Sequence, residues 1–255
     1  MSVVGLLHPG EMGAAVGQCL TAAGHEVLWA SEGRGPATLG RAAGFEDVRT
    51  VAAVASRAEV ILSICPPHAA LSVARSVAGF DGVYVDANAI SPVTAREIGA
   101  IVTAGGASAF VDGGIVGGPP VAFGDTRLYL AGERAGPVSG LFAGTALDAR
   151  VLAGEIGAAS ALKMSYAAWT KGTAALLLAI RGLARAEGVE DALLAEWALS
   201  QPGLEARSSR AAASAAAKGW RWIAEMEEIA ASMTAHDLPA GFHQAAADIY
   251  RQTAT

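Results

Sequence analysis

Cysteine, lysine and long apolar runs are all scarce in this chain, and each shortage removes a class of function. Its two cysteines, Cys19 and Cys65, fall in an expected helix and at an expected strand end. That sets aside a disulfide framework and fits a reducing compartment. No stretch reaches the roughly 18 to 20 uninterrupted apolar residues of a membrane span. The first expected strand begins at residue 3, which leaves no room for a signal peptide. Basic clusters are missing too, and a net charge of −6 over 255 residues argues against nucleic acid as a partner. The expectation is a soluble, cytoplasmic protein acting on a small molecule, with neither membrane nor nucleic acid among its partners.

What is present begins at the N-terminus. Val3-Val4-Gly5-Leu6-Leu7 is apolar and short, as a buried strand is. It runs into His8-Pro9-Gly10-Glu11-Met12-Gly13, then into an alanine-rich, helix-prone stretch over residues 14–23 that Gly24 ends. Residues 25–30 read as the next strand. A strand, a glycine turn, a helix and a second strand form a unit that holds a dinucleotide. Glycines let the backbone approach the pyrophosphate, and the helix N-terminus offers free amides and a positive dipole. The first glycine of the usual G-x-G-x-x-G is replaced by His8. An ordinary βα turn that binds nothing is the competing reading.

Strand and helix patterns alternate as far as about residue 152. Strands are expected over 59–64, 83–88, 109–112, 126–131 and 149–152, with helices over 51–57, 69–77 and 92–103. Such alternation makes right-handed βαβ units in a doubly wound sheet. Strand signals stop at Gly154. One long helix fits 156–186, and further helices fit 191–199, 204–217, 220–235 and 239–253. The fold class is therefore α/β, with a doubly wound domain over 1–153 and a small all-helical domain over 154–255. The helical part is small for an independent domain, so a homodimer packed through it is expected. Ligands of open α/β sheets sit beyond the carboxyl ends of the strands. His8 to Gly13, Ser31 to Arg34, Cys65-Pro66-Pro67 and Asn88 all fall there, so all are candidate cofactor residues.

Selectivity for the nucleotide turns on the end of the second strand, Ala30-Ser31-Glu32-Gly33-Arg34. NAD binders place an acid there for the ribose 2′-OH. If Ala30 or Ser31 holds that position, the acid is missing and Ser31 with Arg34 suits a 2′-phosphate. A shift of one residue would make Glu32 the ribose acceptor. The first register is preferred, which favours NADP(H) over NAD(H). No metal site is expected.

Only three lysines stand against fifteen arginines, which makes Lys163 informative. It sits in Ile156-Gly157-Ala158-Ala159-Ser160-Ala161-Leu162-Lys163-Met164, a helix of small residues able to approach another element closely. Partial burial would lower the ammonium pKa toward that of a working proton donor. A snorkelling lysine at a domain boundary is the bland alternative. Lys171 lies within roughly 80° of the same helix side.

Taken together, the chain resembles the β-hydroxyacid dehydrogenase family, the group of 3-hydroxyisobutyrate and 6-phosphogluconate dehydrogenases. Gly10-x-Met12-Gly13 is similar to the family's N-terminal signature, and Val85-Asp86-Ala87-Asn88-Ala89-Ile90-Ser91-Pro92 to its D-x-S-T-x-S-P segment. Asp112-Gly113-Gly114-Ile115-Val116-Gly117-Gly118 resembles its D-A-P-V-S-G-G substrate loop. Gly157 followed by Lys163 resembles the helix that carries its general acid/base. The resemblance implies a Rossmann domain, a helical dimer-forming domain, and hydride transfer between NAD(P) and a small substrate with Lys163 handling the proton. It further implies that Asp112, Gly113, Gly114, Val116, Gly117 and Gly118 line the substrate.

Two departures stand out. Val116 replaces the loop serine, and Ala167 replaces the asparagine expected after the lysine. Tyr166, one turn from Lys163, either donates a hydrogen bond to substrate or fills space. His236 occupies the region of a Lys-Asp-Leu element near the nicotinamide, or is a solvated helix end. Trp220-Arg221-Trp222 fits a dimer core. The whole pattern looks closest to a subgroup whose C-terminal domain has no assigned function. Two rivals remain: an imine reductase of related architecture, and a dinucleotide-binding module without catalysis.

Overall fold

The computed structural model describes residues 1–253. They form two compact units, Met1–Lys163 and Met164–Thr255 by their limits. The division falls inside a helix, beyond the expected break at 153/154, which marks instead where the strands have ended.

The first unit is built on one eight-stranded sheet. Its elements in order are β1 (Val3–Leu7), α1 (Glu11–Ala22), β2 (Glu26–Trp29), α2 (Pro36–Arg41), β3 (Glu46–Asp47), α3 (Val51–Arg57) and β4 (Val60–Ser63). After a single 3₁₀ turn come α4 (Ala70–Arg75), β5 (Val83–Asp86), α5 (Pro92–Ala104), β6 (Ala109–Val116), β7 (Thr126–Ala131), α6 (Ala135–Gly140) and β8 (Leu147–Val151). The strand order is β3-β2-β1-β4-β5-β6-β7-β8. β3 to β6 are parallel throughout, β7 runs antiparallel to β6, and β8 is parallel to β7. The order reverses between β1 and β4, and that crevice is where open α/β sheets hold ligands.

Strand alternation explains how both faces are covered. Leu6, Leu62, Val85 and Val111 feed one core with Val16 and Leu20 of α1. Their neighbours Leu7, Ile61, Tyr84 and Phe110 feed the other with Val54, Val73 and Ile98. Successive side chains of a strand point to opposite faces, so each apolar run supplies two layers. Each fully buried Leu or Ile contributes on the order of 1.5–3 kcal/mol.

β6 is longer than its sequence suggests. It continues beyond Asp112 through Gly113, Gly114, Ile115 and Val116, pairing Gly113 with Leu130 and Gly114 with Tyr129. Glycines normally punctuate strands, but here two neighbours need bare backbone. A Cβ on Gly113 would lie 2.7 Å from the Asp86 carbonyl oxygen, and one on Gly114 would lie 2.6 Å from that of Ala159. Most of the expected substrate loop is therefore strand, and only Gly117 and Gly118 lie in the connection that follows.

The helical elements are α7 (Ala158–Ala186), α8 (Glu190–Ser200), α9 (Leu204–Thr234) and α10 (Gly241–Thr253). α9 is one helix where two were expected: the alanine run carries straight through Lys218 and Gly219. A helical glycine costs only about 1 kcal/mol against alanine, and Gly219 faces Tyr250 of α10, with a built Cβ 3.7 Å from that ring. Within the second unit Tyr250 is fully buried, donates its hydroxyl to the Lys171 carbonyl and meets Trp222 edge to face. Lys171 pairs with Glu225 and lies over the Trp222 ring. Trp222, half-buried, thus has its ring contacts with Tyr250 and Lys171 inside its own unit. Trp220 is exposed.

Candidate dinucleotide and proton-transfer site

The turn between β1 and α1 is closed by a hydrogen bond from the Gly10 amide to the His8 carbonyl, 2.7 Å. His8 has φ 67°, the left-handed region that glycine enters without penalty and other residues at a cost. The histidine therefore adopts the backbone its position demands. Gly10 caps α1 without any side-chain hydrogen bond, and a Cβ on it would meet no atom within 4 Å. Gly13 is the opposite case: a Cβ there would lie 2.7 Å from the His8 carbonyl oxygen. One glycine keeps the helix end bare, and the other lets the helix close on the turn. Such a terminus, with no capping side chain and a dipole behind it, fits an anion. Met12, in the first turn of α1, packs against the core, Pro9 is buried, and Glu11 is exposed.

Beyond β2, the Arg34 amide donates to the Ser31 carbonyl at 3.0 Å, with Gly33 at φ 72°. This tight turn leaves Glu32 exposed and carries Arg34 back to His8, with Nη2 2.6 Å from Nε2. Burial, then the Arg34 charge, holds the His8 pKa down at about 4. Ser31 is engaged sideways, its amide donating to Asp47 Oδ1 at 3.3 Å. Sequence reasoning missed Arg41, whose Nε donates to the Pro9 carbonyl at 3.4 Å, because nothing in its local pattern marks it. Two guanidiniums thus reach one turn.

At the ends of β4 and β5 a polar network is buried. Asn88 donates from Nδ2 to Asp86 Oδ2 at 2.7 Å and to Ser63 Oγ at 3.2 Å. Its Oδ1 accepts from the Cys65 amide at 2.5 Å. Asn88, expected to hold a cofactor, is 2% exposed and spends its amide tying the two strand ends together. Asp86, marked in the sequence only as part of the D-x-S-T-x-S-P-like segment, is the centre of this network. Burial raises its pKa to about 7, opposed by the bonds from Asn88. Burial and the Asp86 charge push the Cys65 thiol up to about 12, so it is neutral. Pro66 and Pro67, half-buried, lead into the 3₁₀ turn.

Asp112 is fully buried, and both oxygens of its carboxylate are engaged by the start of α7. Its Oδ2 accepts from the amides of Gly157, Ala159 and Ser160 at 2.9, 2.8 and 3.1 Å. Oδ1 accepts from Ser160 Oγ at 2.6 Å. The carboxylate is the cap of α7, a charge well placed at a helix N-terminus. Val116, also expected at the substrate, is buried in the sheet. The α7 cap seats the first turns of that helix against β6, where Lys163 Cβ lies 3.1 Å from the Cβ position of Gly114. Lys163 is half-buried. Tyr166 follows on α7, in the second unit, and is exposed. His236 is exposed in the turn that ends α9.

A doubly wound sheet with a bare glycine turn, followed by a long helix that carries a lysine, makes a Rossmann-like architecture with a helical C-terminal region. Comparison with known proteins agrees. Residues 184–253 match a domain of unknown function, DUF1932. A curated protein of Methanothermus fervidus, known as the uncharacterized 28.5 kDa protein in the 7S RNA 5′ region, is 30% identical over 137 residues. The match spans about half of each chain, 53% of this one and 52% of that. Among solved structures, one is a conserved protein of unknown function reported as similar to 3-hydroxyacid dehydrogenases. It is 28% identical with a TM-score of 0.71, covering 98% of this chain and 96% of that one. Mycobacterium tuberculosis 3-hydroxyisobutyrate dehydrogenase (20%, TM-score 0.70, 100% and 94% covered) shares the fold. So does the Aspergillus terreus reductive aminase solved with NADPH (18%, 0.60, 99% and 93%). The structural neighbours are thus 3-hydroxyisobutyrate dehydrogenase-like, consistent with the β-hydroxyacid dehydrogenase family joined to a DUF1932 segment. Among the described residues no helix is long and apolar enough to cross a membrane.

Proposed function

We propose that this protein is an NAD(P)-dependent oxidoreductase of a small carbonyl or hydroxyl compound, with NADP(H) preferred and Lys163 as general acid/base. The observation that carries the reading is one sheet holding both parts of the apparatus. The uncapped N-terminus of α1 lies at the end of β1, and Lys163 is seated on β6 through the Asp112 cap and the bare backbone of Gly114. The nicotinamide supplies or accepts the hydride. Gly10 and Gly13 shape the turn that holds the pyrophosphate. Arg34 and Arg41 provide planar forks suited to a 2′-phosphate, while Glu32 is exposed. Lys163 Nζ donates a proton to the substrate oxygen as a carbonyl is reduced, and in the reverse direction accepts it.

Reduction of an imine is a second reading. The feature that favours it is Val116, a residue buried in the sheet that offers no hydroxyl where the family resemblance implied a carboxylate-binding serine. A cationic iminium needs no carboxylate clamp.

The test is a titration with NADPH and NADH, followed by tryptophan quenching and cofactor fluorescence, then turnover on carbonyl, hydroxy-acid and imine panels. Lys163→Met should leave dinucleotide affinity within about twofold and lower turnover by roughly 10² to 10⁴, the usual worth of general acid/base assistance. Tight binding without turnover on any panel would favour a non-catalytic module. Binding of neither dinucleotide would overturn the reading.

A further inference from the structure

His8 and Arg34 form a contact with an unusual hydrogen-bond balance. Arginine carries only donors, so at 2.6 Å from Arg34 Nη2 the His8 Nε2 must be the acceptor. That fixes a neutral imidazole with its proton on Nδ1. His8 Nδ1 and Arg34 Nε are both buried and without a hydrogen-bond partner, and both are donors. The contact therefore satisfies one N–H and strands two. Buried donors without acceptors are unfavourable, so the closed arrangement keeps one hydrogen bond while leaving two donors that a ligand could satisfy. Any ligand that offers the guanidinium a full set of acceptors will open it.

We infer that His8 and Arg34 form a clasp across the dinucleotide turn that a 2′-phosphate opens and a ribose hydroxyl does not, making His8 a specificity-determining residue against NADH. The inference rests on the dinucleotide reading above. Arg34 arrives from the end of β2, where the adenosine ribose of a dinucleotide lies in this architecture. Its guanidinium crosses to His8 at the end of β1, so an entering ribose has to displace it. A 2′-phosphate repays the displacement with charged acceptors that match the fork, and Arg41, bonded to Pro9 beside the turn, adds a second cation. A ribose hydroxyl offers one neutral acceptor and leaves the cost of opening unrecovered. A glycine at position 8 would suit the φ of 67° equally well but would give Arg34 nothing to close on. Discrimination would then arise from NADPH contacts alone.

The experiment is a fluorescence titration of wild type, His8→Gly, Arg34→Ala and the double variant with NADPH and with NADH. Wild type should bind NADPH more tightly. His8→Gly should tighten NADH about tenfold, the size of one hydrogen bond to a charged group, and move NADPH less than threefold. Arg34→Ala should tighten NADH and weaken NADPH, and adding His8→Gly to it should change NADH no further. His8→Asn tolerates the left-handed backbone with a side chain too short to hold Arg34, and should behave as His8→Gly does. Unchanged or weakened NADH binding in both His8 variants would overturn the clasp. Equal wild-type affinity for the two dinucleotides would also overturn it, while leaving the dinucleotide reading intact. Failure of wild type to bind either would overturn that reading itself.

Discussion

His8 and Asp86 titrate in opposite senses, and that opposition sets how the first unit responds to acid. His8 is held at about 4 from an ordinary 6.5, so between those values the unfolded chain binds the extra proton. Stability from this group rises with pH across the window and is lost as pH falls. Asp86 is raised from 3.8 to about 7, so there the folded state keeps a proton that the unfolded chain has shed. Its contribution falls as pH rises from about 4 to 7. Over most of that range the two oppose. Denaturant midpoints measured from pH 4.5 to 7.5 should therefore separate the variants: relative to wild type, Asp86→Asn steepens the gain with rising pH, and His8→Asn turns it toward a loss. Parallel profiles for all three proteins would show that neither group is perturbed as described. The network role of Asp86 was hidden in the sequence because a buried acid is recognised by its surroundings, and the Ser63, Cys65 and Asn88 that surround it come from two strand ends.

At the scale of elements, the junction of β6 with α7 carries the most weight. Asp112→Ala removes one carboxylate and strands three buried amides, so a loss of about 2–4 kcal/mol is expected in chemical denaturation. Asp112→Ala within 0.5 kcal/mol of wild type would contradict the cap. Gly114→Ala is expected to push α7 off β6, since its Cβ would fall 2.6 Å from the Ala159 carbonyl oxygen. Turnover should drop by at least tenfold as Lys163 shifts, with dinucleotide affinity retained. The glycine turn, α1 and the lysine-bearing helix were legible because each is written in neighbouring residues. The capping role of Asp112 was not legible because its partners lie some 45 residues along the chain, and no local pattern joins them. Gly113 and Gly114 were misread as loop because a glycine pair signals a turn unless the elements that need the space are known. The single helix α9 was divided at Gly219 because a glycine reads as a break, whereas the helix runs through it and packs on Tyr250 at ordinary contact distance.

For the molecule as a whole we propose a homodimer through the helical unit. Trp169, Leu176 and Leu183 repeat at seven-residue spacing along α7 and are 62%, 42% and 64% exposed, the spacing that keeps a stripe on one helix face. Replacing Leu176 and Leu183 together by Glu should shift sedimentation at micromolar concentration toward monomer while the far-ultraviolet spectrum is kept. An unchanged sedimentation coefficient would count against the stripe. The division between compact units has its own consequence. Because it falls after Lys163, the β1–α1 turn and the lysine belong to one compact unit, while the helix that carries the lysine runs on into the other. In a chimaera that takes the residues after 163 from a relative, the proposed proton donor would stay on its own sheet.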